Sequence, residues 1–109
     1  MDFIGKIKEI IISRVKPDMI ILFGSYARGD YNVDSDIDVL VLKRGLTGDR
    51  AIVGDLYVDF FKKDVLVSVD VIIMDYDKFY GLSDEIGCIY KNIKEEGKII
   101  YESAQRMAG

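Results

Sequence analysis

The stretch Met19-Ile20-Ile21-Leu22-Phe23-Gly24-Ser25, followed after ten residues by Asp36-Ile37-Asp38-Val39, decides the fold of this chain. Five apolar residues in a row predict a buried strand, and the small pair Gly24-Ser25 ends it abruptly. The second stretch opens another apolar run. Because side chains alternate between the faces of a strand, we expect its two aspartates to share one face while Ile37 and Val39 point into the core.

A pair of carboxylates on one strand face predicts a cation between them. Asp36 and Asp38 would repel each other without one, and Mg2+ prefers oxygen ligands and binds phosphates. A third carboxylate, Asp70, lies in the apolar run of residues 68–74. If that run pairs with the second strand, Asp70 completes a cluster able to hold one or two Mg2+ ions and to lower the pKa of an attacking hydroxyl. The pattern therefore predicts a nucleotide site.

Each element also has an ordinary explanation. Gly24-Ser25 alone fits a strand-to-helix turn in which Ser25 caps the helix. Asp36 and Asp38 alone fit a solvated strand end, and Asp70 alone fits a charge that protects an edge strand. Together these explanations become poor, because each must independently imitate one part of the same site.

In this order the elements resemble the DNA polymerase β-like nucleotidyltransferase superfamily: Phe23-Gly24-Ser25, Asp36-Ile37-Asp38-Val39 and Val69-Asp70-Val71. The string 23–30 followed by 34–38 is similar to the minimal nucleotidyltransferase (MNT) branch, often the antitoxin partner of a HEPN-domain toxin. The resemblance implies a polymerase β-like α/β (α+β) fold, a small mixed β-sheet flanked by helices. It covers essentially the whole chain, so we expect residues 1–109 to form a single minimal nucleotidyltransferase domain.

The resemblance also implies roles for individual residues. Gly24 and Ser25 match the family's pair that holds the nucleotide phosphates. Asp36 and Asp38 match its metal-binding, catalytic pair. Asp70 matches the third metal-binding carboxylate, which helps activate the incoming hydroxyl.

Residues near these elements leave alternatives open. Arg28 contacts nucleotide phosphate or pairs with Asp30 or Asp34, which would stiffen the loop. Ser35 is expected to cap the turn that presents Asp36. Packing or a surface position is favoured over base stacking for Tyr26, the aromatic that follows Ser25.

Composition excludes several classes of function. The chain has 109 residues, 50% of them hydrophobic, which suffices for one core. It shows no apolar run near the length of a membrane span and no signal peptide. The single cysteine, Cys88, is expected to fill the core and fits a reducing cytoplasm, while the absence of histidine excludes a Ser-His-Asp triad and histidine-ligated zinc. A net charge of −4 argues against an extended nucleic acid as partner.

Periodicity predicts alternating helices and strands without a linker or repeat. Helices are expected over roughly 2–15 and 49–63, and a short one directly after the Gly-Ser turn. Residues 75–77 are expected to begin another helix or a turn, and a last long helix that includes Ile86 ends before Gly97. The second long helix carries a core stripe of Val53, Leu56, Phe60 and Phe61, with Thr47 or Asp49 near its start. Strands are expected at about 19–23, 36–42, 65–74 and 98–101.

The resemblance implies in-line attack of an acceptor hydroxyl on the α-phosphate of ATP, with Mg2+ as cofactor. An acceptor-binding domain is not evident, so we expect the acceptor surface to come from another molecule, a HEPN toxin whose tyrosine receives AMP, in a hetero-oligomer. A chain without histidine lacks the toxin's Arg-x4-His signature and would be the antitoxin. Two alternatives remain: a module that neutralises its toxin by steric contact, and a small-molecule nucleotidyltransferase of the antibiotic-modifying type.

Overall fold

A computed structural model describes residues 2–46, 50–82 and 89–103 of the chain. Its strands are β1 (Met19–Phe23), β2 (Ile37–Lys43), β3 (Val69–Asp75) and β4 (Lys98–Glu102). Its helices are α1 (Phe3–Val15), α2 (Ser25–Arg28), α3 (Arg50–Lys62), α4 (Tyr76–Leu82) and α5 (Ile89–Glu96). None of these described helices combines the length and apolar character needed to cross a bilayer.

The strands form one sheet in the order β3-β2-β1-β4. β1 pairs antiparallel with both β2 and β4, whereas β2 and β3 run parallel. A parallel pair needs a crossover connection, and α3 supplies it between β2 and β3. The predicted mixed sheet flanked by helices is therefore confirmed.

Both faces of β2 are buried over most of its length. Ile37 and Val39 lie, as predicted, in a core that includes side chains of α1 and α3. Leu40 and Leu42 occupy the opposite face in a second core that includes Phe79 of α4. Asp38 lies on this second face because it is two residues before Leu40. The carboxylate pair therefore sits where the second core ends.

The boundaries of the first elements agree with the sequence expectations. α1 begins after Asp2, whose carboxylate accepts the Gly5 N–H at 2.9 Å, and ends where Lys16 adopts a left-handed conformation with φ of 52°. β3 begins at Val69 and not at 65, because the chain is still turning out of α3: the Val65 N–H donates to the Phe60 carbonyl at 2.9 Å. The expectations for Thr47, Asp49, Ile86 and Cys88 lie outside the described residues.

The predicted core stripe of α3 is wrong at Phe61, and its Val53 is only half-buried. Leu56 and Phe60 are buried, at 0% and 4% exposure, but Phe61 is 84% exposed. Consecutive residues of a helix point about 100° apart, so only one of the two phenylalanines can face the sheet. Packing selects Phe60 and leaves Phe61 outside.

Candidate active site

Gly24 allows the chain to turn directly against the carboxylate of Asp38. Its φ of 72° and ψ of −154° lie in a region that favours glycine. A Cβ at this position would run into the Asp38 carboxylate, with the Cγ atom only 3.2 Å away. The turn after β1 and the start of β2 therefore fit together only without a side chain at residue 24.

α2 starts at Ser25, immediately after this turn. Its first backbone hydrogen bond runs from the Ala27 N–H to the Gly24 carbonyl at 3.1 Å, so the N–H groups of residues 25 and 26 precede the intrahelical bonds. Such N–H groups and the Ser25 hydroxyl are donors of the kind that bind phosphate oxygens. The four-residue helix is short, so these local donors and not a helix dipole are what the site offers.

Sheet pairing brings the carboxylates together. In the parallel β2–β3 pair, Asp38 and Asp70 are direct register partners. Asp36 precedes β2 on the same alternating face and is exposed. Asp70 was expected to join the cluster if its strand pairs with that of Asp38, and this pairing is confirmed.

A network of short hydrogen bonds shapes the loop that presents Asp36. The Ser35 hydroxyl accepts the Asn32 N–H at 2.9 Å, and the Asn32 side chain accepts the Asp34 N–H at 2.8 Å. Ser35 therefore has the predicted capping role in this turn. Hydrogen bonds of this type stabilise turns built from Asn, Asp and Ser.

The electrostatics of the cluster are those of excess negative charge. Burial raises the pKa of Asp38 to about 6, and the neighbouring Asp70 and Asp36 charges, together with a hydrogen bond to Asp70, act in the same direction. Arg28 opposes the shift but does not cancel it. The site therefore favours binding of a proton or a cation.

A hard divalent cation fits the donor set of Asp36, Asp38 and Asp70, since all three offer carboxylate oxygens and the charge needs compensation. Among the residues that the structure describes, no three histidine, cysteine, aspartate or glutamate side chains stand in metal-holding geometry. The donor chemistry therefore supports the predicted metal site, while the ligand set stays a prediction.

Arg28 lies beside Gly24 and forms two ion pairs. Its guanidinium is 3.3 Å from the Asp30 carboxylate and 4.0 Å from that of Glu96 on α5. The predicted pairing with Asp30 is confirmed, and phosphate contact stays a prediction. Arg28 also borders a recess of about 210 Å³ whose other lining residues are Phe23, Gly24, Asn92, Ile93 and Glu96.

A second groove, of about 490 Å³, adjoins the carboxylates. Asp36 and Asp70 line it together with Tyr57, Phe60, Phe61, Val65, Val67, Ser68 and Val69. Tyr57 was not predicted from the sequence as a site residue, and Phe61 was predicted to lie in the core. Their spacing of four residues was the available signal, since it defines a helix stripe distinct from that of Leu56 and Phe60.

Tyr26 packs as an aromatic pair with Tyr31. The two rings are stacked, with centroids 4.2 Å apart and planes nearly parallel at an angle of 7°. This agrees with the expectation that Tyr26 has a packing role.

A mixed sheet with a Gly-Ser turn against an aspartate pair defines the nucleotidyltransferase class of fold. Residues 4–100 match the family described as "Nucleotidyltransferase domain". The chain therefore belongs to the nucleotidyltransferase family, and the enzyme class predicted from the sequence is confirmed. The chain is 35% identical over 104 residues to the "Putative protein adenylyltransferase" MJ0604 of Methanocaldococcus jannaschii. The alignment covers 92% of each of the two sequences.

Two solved structures have the same fold. A toxin–antitoxin crystal structure with AMP-PNP aligns with a TM-score of 0.69 and 23% identity, over 97% of this chain and 77% of that one. A mutant of the toxin–antitoxin MntA-HpeT aligns with a TM-score of 0.65 and 24% identity, over 94% of this chain and 74% of that one. At this level of identity the likeness shows the fold, which agrees with the predicted minimal nucleotidyltransferase architecture.

Proposed function

We propose that the protein is a Mg2+-dependent adenylyltransferase that acts as the antitoxin of a HEPN RNase toxin. It transfers AMP from ATP to the hydroxyl of a tyrosine on that toxin. One observation carries this proposal: Gly24 packs against the carboxylate of Asp38, which is the register partner of Asp70. A turn with free donors thus meets an acidic cluster, as phosphoryl transfer requires.

The donor nucleotide binds on the Gly24 side of the cluster. Gly24 permits close approach of phosphate to the backbone, and Ser25 supplies a hydroxyl and an N–H. Arg28 is half exposed, with 47% of its side chain accessible, so it can reach a phosphate without leaving a buried position. The adjoining recess leaves space for other parts of the nucleotide.

The acceptor hydroxyl is activated on the Asp70 side. Its proton passes to the Asp70 carboxylate while its oxygen forms a bond to the α-phosphorus, and the bond from that phosphorus to the β-phosphate bridging oxygen breaks to release pyrophosphate. When Mg2+ is bound by Asp36, Asp38 and Asp70, it supplies charge stabilisation to the phosphates. The carboxylates hold the reacting groups in line.

A protein acceptor is supported by the relatives. The Methanocaldococcus jannaschii relative is described as a protein adenylyltransferase, and the structural neighbours are toxin–antitoxin assemblies. In this proposal the toxin partner supplies the acceptor hydroxyl. We infer that the partner forms a hetero-oligomer with this chain.

Two other functions compete with this proposal. A steric antitoxin would bind the toxin without chemistry, but it gives no reason for the crowded charge around Asp38. A small-molecule nucleotidyltransferase would use the same carboxylates on an antibiotic-type hydroxyl. Such an enzyme differs from the proposed one only in the molecule that carries the acceptor hydroxyl.

Intact-mass analysis tests the proposal directly. The protein encoded by the neighbouring gene is incubated with this protein, ATP and Mg2+, beside an Asp38→Ala control. Mass increments of whole adenylyl groups that vanish with the variant support the proposal. A stable complex without an increment favours a steric antitoxin. The absence of both complex and increment favours a small hydroxylated acceptor.

A further inference from the structure

The most exposed apolar surface on the α3 side of the described molecule adjoins the acidic cluster. Phe61 and Leu66 are 84% and 77% exposed, and Tyr57 and Val58 are 41% and 51% exposed. We name these four residues the α3 patch. Three of them are neighbours on the helix surface, at spacings of three and four residues. Leu66 lies in the segment after α3 whose neighbouring residues Val65 and Val67 line the same groove as Tyr57 and Phe61. Clusters of exposed apolar side chains mark binding surfaces.

The α3 patch continues into the carboxylate groove. Tyr57 and Phe61 line that groove together with Asp36 and Asp70. The Tyr57 hydroxyl accepts the Val71 N–H at 3.2 Å, which fixes the ring along β3 beside Asp70. β3 is the edge strand of the sheet, so this contact also covers a backbone donor that would otherwise face outward. A molecule held on the α3 patch therefore reaches the cluster from the Asp70 side.

Charge decides what the groove accepts. Its lining residues include two carboxylates and no lysine or arginine. Without a bound cation the two carboxylates repel a phosphate group, and no basic side chain of the lining offsets that repulsion. Positive charge is attracted by the carboxylates, and an apolar body is matched by Phe60, Phe61 and the groove's three valines.

We propose that the α3 patch and the adjoining groove bind an apolar segment of the acceptor protein that is flanked by lysine or arginine and carries the hydroxyl to Asp70. This inference rests on the proposed function and names the partner surface of its acceptor side. The exposed side chains of Leu66 and Val58 extend beyond the groove, which a small polyol would leave uncovered. A protein segment covers both the groove and the patch.

Peptide titration tests the inference on the isotope-labelled full chain. The probe is a synthetic peptide with a central tyrosine, leucine neighbours and arginine flanks, and its partner probe has glutamate in place of arginine. We expect amide signals of Phe61, Leu66 and Asp70 to shift with the arginine peptide, which binds at least tenfold more tightly than the glutamate peptide. Equal affinities, shifts elsewhere or no binding would overturn the inference.

Matched variants locate the binding energy. Phe61→Ser and Leu66→Ser remove exposed side chains and are expected to leave the fold intact. Each should weaken binding of the arginine peptide by about tenfold. Ile99→Ser, at a 54% exposed residue on the opposite edge of the sheet, should leave it unchanged. Equal effects of all three substitutions contradict a specific α3 patch.

Transfer to the neighbouring-gene protein separates this inference from the proposed function. If Asp38→Asn loses AMP transfer but Phe61→Ser transfers normally, the docking surface is contradicted and the proposed function is supported. If Phe61→Ser no longer binds the partner, while Asp38→Asn still neutralises the toxin, the docking surface is supported and the proposed enzymatic function is contradicted. A raised KM for the acceptor in Phe61→Ser with an unchanged ATP affinity supports both.

Discussion

Asp59 and Asp38 are two aspartates of one small protein with opposite electrostatic surroundings. The Asp59 carboxylate receives two hydrogen bonds from the Arg14 guanidinium, at 2.8 and 2.9 Å, which join α3 to α1. The hydrogen bond from Arg14 lowers the pKa of Asp59. Asp38 faces Asp70 and Asp36 instead, and burial with these like charges raises its pKa to about 6.

The difference separates a structural carboxylate from a functional one. Asp59 has its cation within the protein, so nothing from solution is needed to balance its charge. Asp38 has only the weak opposing influence of Arg28, so its balance must come from outside. Carboxylates with perturbed pKa values and unbalanced charge are frequent at functional sites. Four measurements test the contrast between Asp38 and Asp59.

The largest effect is expected for activity. Asp36→Asn or Asp38→Asn should lower AMP transfer by about a hundredfold to a thousandfold, because each removes charge that the transfer site requires. Thermal unfolding should show that both variants remain folded, since removal of one of two crowded charges relieves repulsion. Asp59→Asn is the matched control and should transfer normally. An unfolded Asp38→Asn protein would assign Asp38 a structural role.

The next effect concerns cation binding. At a Mg2+ concentration one hundred times the dissociation constant, the free energy of unfolding should rise by about 2.7 kcal/mol in the wild type. Asp38→Asn should respond much less, whereas Asp59→Asn should respond fully. The measurement is the melting temperature as a function of Mg2+ concentration at neutral pH. Equal responses of the two variants would place the cation elsewhere.

A smaller effect is expected from the turn. Gly24→Ala should cost about 1–3 kcal/mol of stability and impair transfer, because the new Cβ meets the Asp38 carboxylate at a left-handed φ. Gly29→Ala is the matched control: Gly29 has φ of 86°, and no atom lies within 4 Å of an added Cβ. Denaturant unfolding and transfer assays should show a loss of transfer in the first variant only. Similar losses of stability and transfer in both variants would show that backbone strain, and not contact with Asp38, explains the effect at Gly24.

The smallest effect is the pH dependence of stability without divalent cations. The Asp38 pKa is about 6 in the folded protein against an ordinary value of 3.8, so the folded state binds more protons between these values. The free energy of unfolding of the wild type should therefore fall as pH rises through this window. Relative to Asp38→Asn, the wild type should be less stable by roughly 1 kcal/mol at pH 7, a figure reduced for partial hydration, and equal at about pH 4. A difference that is independent of pH would contradict the raised pKa.

Local sequence determined the elements that carry the site. The continuous apolar runs predicted β1 and β2 to within a residue, because a run of four or five apolar residues that Gly-Ser closes or Asp opens has few alternatives. The alternation of residues 36–39 predicted which side chains face the core. The pair Gly24-Ser25 was predicted to end β1 abruptly, and the structure identifies the Asp38 carboxylate as the group against which Gly24 turns.

Contacts between distant segments could be read only from the folded protein. The register of Asp38 with Asp70, the outward position of Phe61 and the pairing of Arg28 with Glu96 all depend on how α3 crosses the sheet and where α5 packs. The sequence supplied the pattern for each element but not its rotation or register. Side-chain periodicity is a local property of each segment, whereas register and helix rotation are fixed by packing between segments.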